Sequence, residues 1–324
     1  MNRTAWVVAS IILLGACSSE SMTTTEGKEG GSCYPNNTCD DGLQCVAGTC
    51  TRPSSTAEGG VVGDLGGGGD GGGTADQAPV PTAKFSFFVT SLKALQALSN
   101  SQSGFGGDLR YGETGPGAGL RGADKICAAV AERSMPGAAA KNWRAFLSAT
   151  ADENGKQVNA IDRIGNGPWY DRLGRLVAPT RADLLADRPQ NGDATIRNDL
   201  PNEDGVPNHQ PDPTQPPVDN HDTLTGTNSQ GQLYSKSATC LDWTSAKGNH
   251  TLEGRPRCGH CWPRSGGGGK PGPGGDMGNW MSTLDEAGCA PGVNLKETGP
   301  PNPMIPTVGS GGGYGGFYCF ALIP

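Results

Sequence analysis

Cys258-Gly259-His260-Cys261 places two thiols three positions apart with an imidazole beside the second. That spacing suits thiol–disulfide exchange, in which a thiolate attacks a disulfide sulfur and a neighbouring thiol resolves the mixed disulfide. Exchange needs a thiol of depressed pKa, usually one at a helix N-terminus entered from a buried strand. The flanks supply neither. Upstream, "AKGNHTLEGRPR" is polar and broken by Pro256. Downstream, "WPRSGGGGKPGPGG" cannot propagate a helix, because glycine and proline oppose it by about 1 and 3 kcal/mol per residue. The pair is therefore expected to be a staple in a glycine-rich loop. Cys258 and Cys261 would bond to each other, or separately to Cys240 and Cys289. A zinc site assembled from Cys258, His260, Cys261 and the distant His250 is the competing chemistry. The four histidines, His209, His221, His250 and His260, form no H-x3-H or H-E-x2-H pattern, so no metal site is expected from them.

The four letters C-G-H-C resemble the active-site tetrapeptide of protein disulfide isomerases, without the helix that activates it. Gln210-Pro211-Asp212 resembles the tripeptide with which galactose-type C-type lectins hold Ca²⁺ and a sugar. Asp219, Asn220 and Asp222 follow closely and add oxygen donors of the kind a hard cation takes. The second lectin element, Trp-Asn-Asp, is absent, and Cys240-Leu241-Asp242 stands near its place. A weak Ca²⁺ site at Gln210, Asp212, Asp219, Asn220 and Asp222 is the one cofactor expectation. No catalytic residues are assigned: the chain has no G-x-S-x-G, phosphate loop or dinucleotide fingerprint.

The start of the chain reads as an address. Arg3 precedes an apolar run from Ala5 to Leu14, too short to span a bilayer of about 30 Å. It ends in Leu14-Gly15-Ala16-Cys17, which resembles a bacterial lipobox. That resemblance implies a signal peptide over 1–16, acylation of Cys17 and export, with the lipid as the membrane anchor. Ser18 after the cysteine implies the outer membrane. An exported chain with 11 cysteines reads as disulfide-bonded, and removing Cys17 leaves an even number. A net charge of −7 argues against nucleic acid as a partner. Gly 53, Pro 25 and only 34% hydrophobic residues mean that much of the chain lies outside a packed core.

These features divide the chain into a tether (17–32), a cysteine-rich mini-module (33–50), a glycine-rich disordered linker (51–83) and a domain (84–324). The mini-module, "CYPNNTCDDGLQCVAGTC", is too small for a core and needs disulfides among Cys33, Cys39, Cys45 and Cys50. It resembles small knots of bacterial lipoproteins and, more distantly, the cysteine-rich motif of Dickkopf proteins. In the domain, Phe85, Phe87 and Val89 fall on one face of a predicted strand. Leu120, Ala123, Ile126, Cys127 and Val130 form one stripe of a helix. Trp143, Ala145 and Leu147 alternate as in a strand. Thr180 caps a helix with Asp183 at N3. Residues 188–222 read as a long polar loop, while "SATCLDWTS" and "GFYCFALIP" read as short strands. Trp143 and Trp243 are expected in the core, and Trp262 and Trp280 packed beneath glycine-rich loops. The pattern is α+β.

"FFVTS" (87–91), "GLRGADKICAAVA" (119–131), "KNWRAFLS" (141–148), "LTGT" (224–227), "CLDWTS" (240–245) and "GFYCF" (316–320) occur in register over the domain. Together they resemble a family of exported bacterial domains of unknown function, related in fold to endostatin and C-type lectins. The resemblance implies that the first and last strands pair, that Cys127 bonds to Cys319, and that Cys240 bonds to Cys289. It brings no known activity. The function expected is a non-catalytic surface lipoprotein that recognises an extracellular glycan or protein. The alternatives are a structural envelope component without a soluble ligand and a thiol–disulfide oxidoreductase using Cys258 and Cys261.

Overall fold

A computed structural model describes residues 28–33, 43–46, 48–52, 83–209, 220–262, 279–296 and 299–323. The chain divides into two units, Met1–Gly73 and Thr74–Pro324. In the first, β1 (Gln44–Val46) and β2 (Thr49–Thr51) form an antiparallel hairpin with Cys45 opposite Cys50. Gly48, at φ 81°, lies between the two strands in the left-handed region that glycine tolerates. Cys33 and Cys50 are both disulfide-bonded, and the amide of Cys33 donates to Gly48 O at 3.1 Å. Cys17, Cys39 and residues 53–82 of the linker lie outside the described residues.

The second unit mixes helices and sheets. Its elements are β3 (Phe87–Val89), α1 (Leu92–Ser99), α2 (Ala118–Ser134), β4 (Trp143–Ala145), β5 (Trp169–Tyr170), β6 (Leu176–Ala178), α3 (Arg181–Leu184), β7 (Asp222–Leu224), β8 (Arg257–His260), β9 (Leu284–Asp285) and β10 (Gly313–Ala321). The main sheet runs β3-β10-β7-β8-β9, with β4 also paired to β10. β10 lies antiparallel to β3 and β4, with Cys319 opposite both Phe88 and Ala145, and parallel to β7.

All nine residues of β10 are buried. Its side chains alternate between two cores, as the pleat requires. Phe317, Cys319 and Ala321 enter a core built on Leu120, Ala123, Ile126, Cys127 and Val130 of α2. Tyr318 and Phe320 enter a second core with Phe87, Phe146, Trp169 and Trp280. The helical stripe read from the sequence is the buried face of α2. β3 differs from expectation: Phe87 and Val89 enter the second core, but Phe85 packs with Phe88 and Trp143 in the first. Phe85 precedes the first paired residue of the strand, so the period-two rule does not reach it.

Two disulfides fix the domain. Cys127 bonds to Cys319, joining α2 to β10, and Cys240 bonds to Cys289. Asp124 adds a polar tie, accepting from the amide of Ala145 at 2.8 Å and taking a bidentate pair from Arg163. Residues 240–243 are not the strand expected. They form a left-handed turn, with φ of 48° at Cys240, 55° at Leu241 and Asp242, and 64° at Trp243. The disulfide, the buried Trp243 ring and the Trp243 Nε1 bond to Ser148 O at 2.8 Å hold this unfavourable backbone. Gly119 of α2 makes room for it: a Cβ there would lie 2.1 Å from Asp242 O.

Replacing Cys127 and Cys319 together by Ala is expected to cost about 2–5 kcal/mol in a reversible denaturant titration. A second prediction concerns Glu203, which is buried and accepts from the amide and hydroxyl of Ser91, the N-cap of α1, at 3.0 and 2.5 Å. Burial, opposed by the Ser91 hydroxyl, pushes its carboxyl up to about 7 from an ordinary 4.5. Between those values the unfolded chain has released a proton that the folded protein keeps. Stability should therefore fall as pH rises through that window, by roughly 3 kcal/mol, and this component should be level above it. Glu203→Gln should flatten the fall; an unchanged pH profile in the variant would contradict the assignment.

Candidate functional site

Cys258, Gly259 and His260 lie in β8, a strand rather than a loop, and Cys261 directly follows it. β8 is held between β7 and β9, with Asp222 opposite His260, Thr223 opposite Gly259, Leu224 opposite Cys258, and Cys258 opposite Leu284. The amide of Cys261 donates to His221 O at 2.9 Å. Pairing on both edges supplies the strand state that the flanking glycines and prolines do not predict.

This placement corrects the expected staple. Cys258 and Cys261 are free thiols, both buried, and Cys240 and Cys289 bond to each other instead. Residues three apart on a strand face opposite ways. Cys258 accordingly enters the α2 core and Cys261 the second core. Burial, with the charges of Glu286 and Asp222 adding, holds the Cys258 thiol well above its usual range. Burial pushes Cys261 up to about 12. Such thiols lack the thiolate that exchange requires. A zinc site using these sulfurs with His250 is not assembled either: His250 opens an exposed turn, and the metal-capable cluster of the described residues omits all three.

That cluster is His221, Asp222 and His260, whose donor atoms all lie within 4.8 Å of one another. Asp222 and His260 are cross-strand partners, on the strand face where Leu224 and Cys258 enter the core. His221 immediately precedes β7. Asp222 Oδ1 lies 3.2 Å from His260 Nε2 and 3.5 Å from His221 Nε2. The two imidazoles meet edge to face at 4.2 Å between centroids. His221 and Asp222 are buried, and His260 is half-buried. Neither oxygen of Asp222 accepts a hydrogen bond from an N–H group or a hydroxyl, and His260 Nε2 makes none despite its short approach.

Glu286 stands behind this group. Its carboxylate accepts from the amide of Gly311 at 2.9 and 3.1 Å. Burial, and then the charge of Asp222, holds its carboxyl well above the ordinary range. Gly311 is what lets both acids fit: a Cβ there would sit 2.7 Å from Asp222 Oδ2 and 3.4 Å from Glu286 Oε1. On the other side, His209 stacks on Trp262 at 3.7 Å and approaches His221 to 6.4 Å.

Of the residues read as Ca²⁺ ligands, Gln210, Asp212 and Asp219 lie outside the described residues. Asn220 is buried, and its Nδ2 donates to Asn208 O at 2.9 Å. Asp222 faces the imidazole nitrogens of His221 and His260. Asp242 is structural, accepting from the amide and hydroxyl of Thr150 at 2.6 and 2.5 Å. Trp280 is buried and donates to Leu184 O at 2.8 Å, while Trp262 is half-buried on His209. The convergence of His221 with His260 has no local sequence pattern. It depends on the β7–β8 register, which only the fold supplies.

No protein-family model matches the chain, and no curated protein is found as a relative. Among the described residues no helix is long and apolar enough to cross a membrane.

In the folded protein, Cys258 and Cys261 should resist iodoacetamide and become alkylated only on unfolding, each mapped by mass spectrometry. A peptide linking the two sulfurs in the native protein would contradict the placement of β8.

Proposed function

We propose that this chain is a lipid-anchored surface protein whose second unit is a C-type-lectin-like, endostatin-like domain that recognises an extracellular glycan or protein without catalysing a reaction. The antiparallel pairing of β3 with β10 and the bond from α2 to β10 support that fold assignment. Acylation of Cys17 and placement in the outer membrane rest on the lipobox.

The observation that carries the recognition reading is how the domain divides its work. The main sheet and α2 make one core and the other face of that sheet, with β5 and β6, makes the second, while long stretches of chain with little regular structure among the described residues separate β6 from β7, β7 from β8 and β9 from β10. The Cys240–Cys289 bond ties two of those segments together, which holds a loop surface in one shape before any ligand arrives. The burial of both C-G-H-C thiols on opposite faces supports a domain that does not perform disulfide exchange.

An array of glycans and extracellular matrix proteins, probed with the full chain in detergent with and without Ca²⁺, tests this reading. Saturable binding to one class is expected. Binding to none, with cross-linking only to envelope neighbours, would replace it with the structural alternative.

A further inference from the structure

We infer that His221, Asp222 and His260 form a binding site for a divalent transition-metal ion of the Zn²⁺ class. Zinc bonds to imidazole nitrogen and carboxylate oxygen at about 2.0–2.1 Å, so neighbouring donors of a tetrahedral ion lie about 3.4 Å apart. Asp222 Oδ1 lies 3.2 Å from one imidazole nitrogen and 3.5 Å from the other. All three donors fall within 4.8 Å, so modest side-chain rotation closes the set.

The second observation is independent of those distances. Asp222 is 3% exposed, and neither of its oxygens accepts a hydrogen bond from an N–H group or a hydroxyl; the group hydrogen-bonded beside it is the carboxyl of Glu286, a second acid rather than a cation. A buried carboxylate in that state is costly unless paired or bound to a cation. His260 Nε2 approaches it without making a hydrogen bond. An ion bound to both groups would organise this approach of Asp222 to His260.

The donor set selects the ion. Two imidazoles and a carboxylate suit Zn²⁺ and its neighbours, whereas Ca²⁺ takes six to eight oxygens. Glu286 accepts from the Gly311 amide and shares a side-chain hydrogen bond with Asp222, which orients the ligating carboxylate. Three protein ligands leave a fourth position for water or for a group on a bound partner.

The test uses the full chain in detergent, stripped with a chelator and dialysed against Zn²⁺ or Co²⁺. One equivalent of Zn²⁺ should be retained, and the thermal midpoint should rise with it. The Co²⁺ form should show visible d–d absorption without a sulfur-to-cobalt charge-transfer band. His260→Gln and Asp222→Asn should each weaken Zn²⁺ binding by roughly 100-fold or more, while Cys258→Ser leaves it unchanged. Near-UV circular dichroism checks that the variants fold; if one does not, the wild-type Co²⁺ spectrum decides. Absence of stoichiometric binding, a sulfur band, binding indifferent to His260→Gln, or displacement of Zn²⁺ by equimolar Ca²⁺ would each overturn the site.

Discussion

The domain depends on the burial of β10. A strand with no exposed residue needs partners along both edges and apolar layers on both faces. The chain meets this need from distant parts of its sequence. β3 and β4 flank the C-terminal half of the strand, β7 pairs with its N-terminal half, α2 covers one face and the Trp169–Trp280 cluster covers the other. The Cys127–Cys319 bond then ties the strand to the helix that covers it, across 192 residues of sequence. Few regular elements are left over, so long segments run as loops fixed by a disulfide, a left-handed turn and buried hydrogen bonds.

The same strand makes the polar cluster possible. Asp222 pairs with Gly313 at the glycine-rich start of β10, where side chains give way to bare backbone. A Cβ on Gly313 would come 2.8 Å from Asp222 O, and one on Gly311 would press on the Asp222 carboxylate. The sheet is thus packed with aromatic side chains at the end of β10 and with charged ones at its start. A carboxylate, two imidazoles and a second buried acid occupy the space that a core would otherwise fill. Local rules of burial are broken there, as they often are at a site kept for a ligand.

How much was legible in the sequence follows from how local each signal is. The face of α2 was legible because 17 residues repeat the 3.6-residue period several times. The aromatic run of β10 and the Thr180 cap are similarly local. The two domain disulfides came from the family resemblance, since spacing alone permits many pairings. β8 was misread because four residues between glycine- and proline-rich flanks carry no strand signal of their own; β7 and β9 impose it. The turn at 240–243 was misread because Leu241 and Trp243 alternate with polar neighbours, while a disulfide and one buried indole decide the backbone. His221 and His260 are 39 positions apart, and only strand register brings them together.

The central claim is that a cation balances the charge buried at Asp222. Anomalous diffraction at the zinc edge, from crystals of the full chain grown with Zn²⁺, tests it directly. The account predicts one strong peak about 2 Å from donor atoms of His221, Asp222 and His260. A map with no peak between those side chains, or with the metal on other residues, would contradict it.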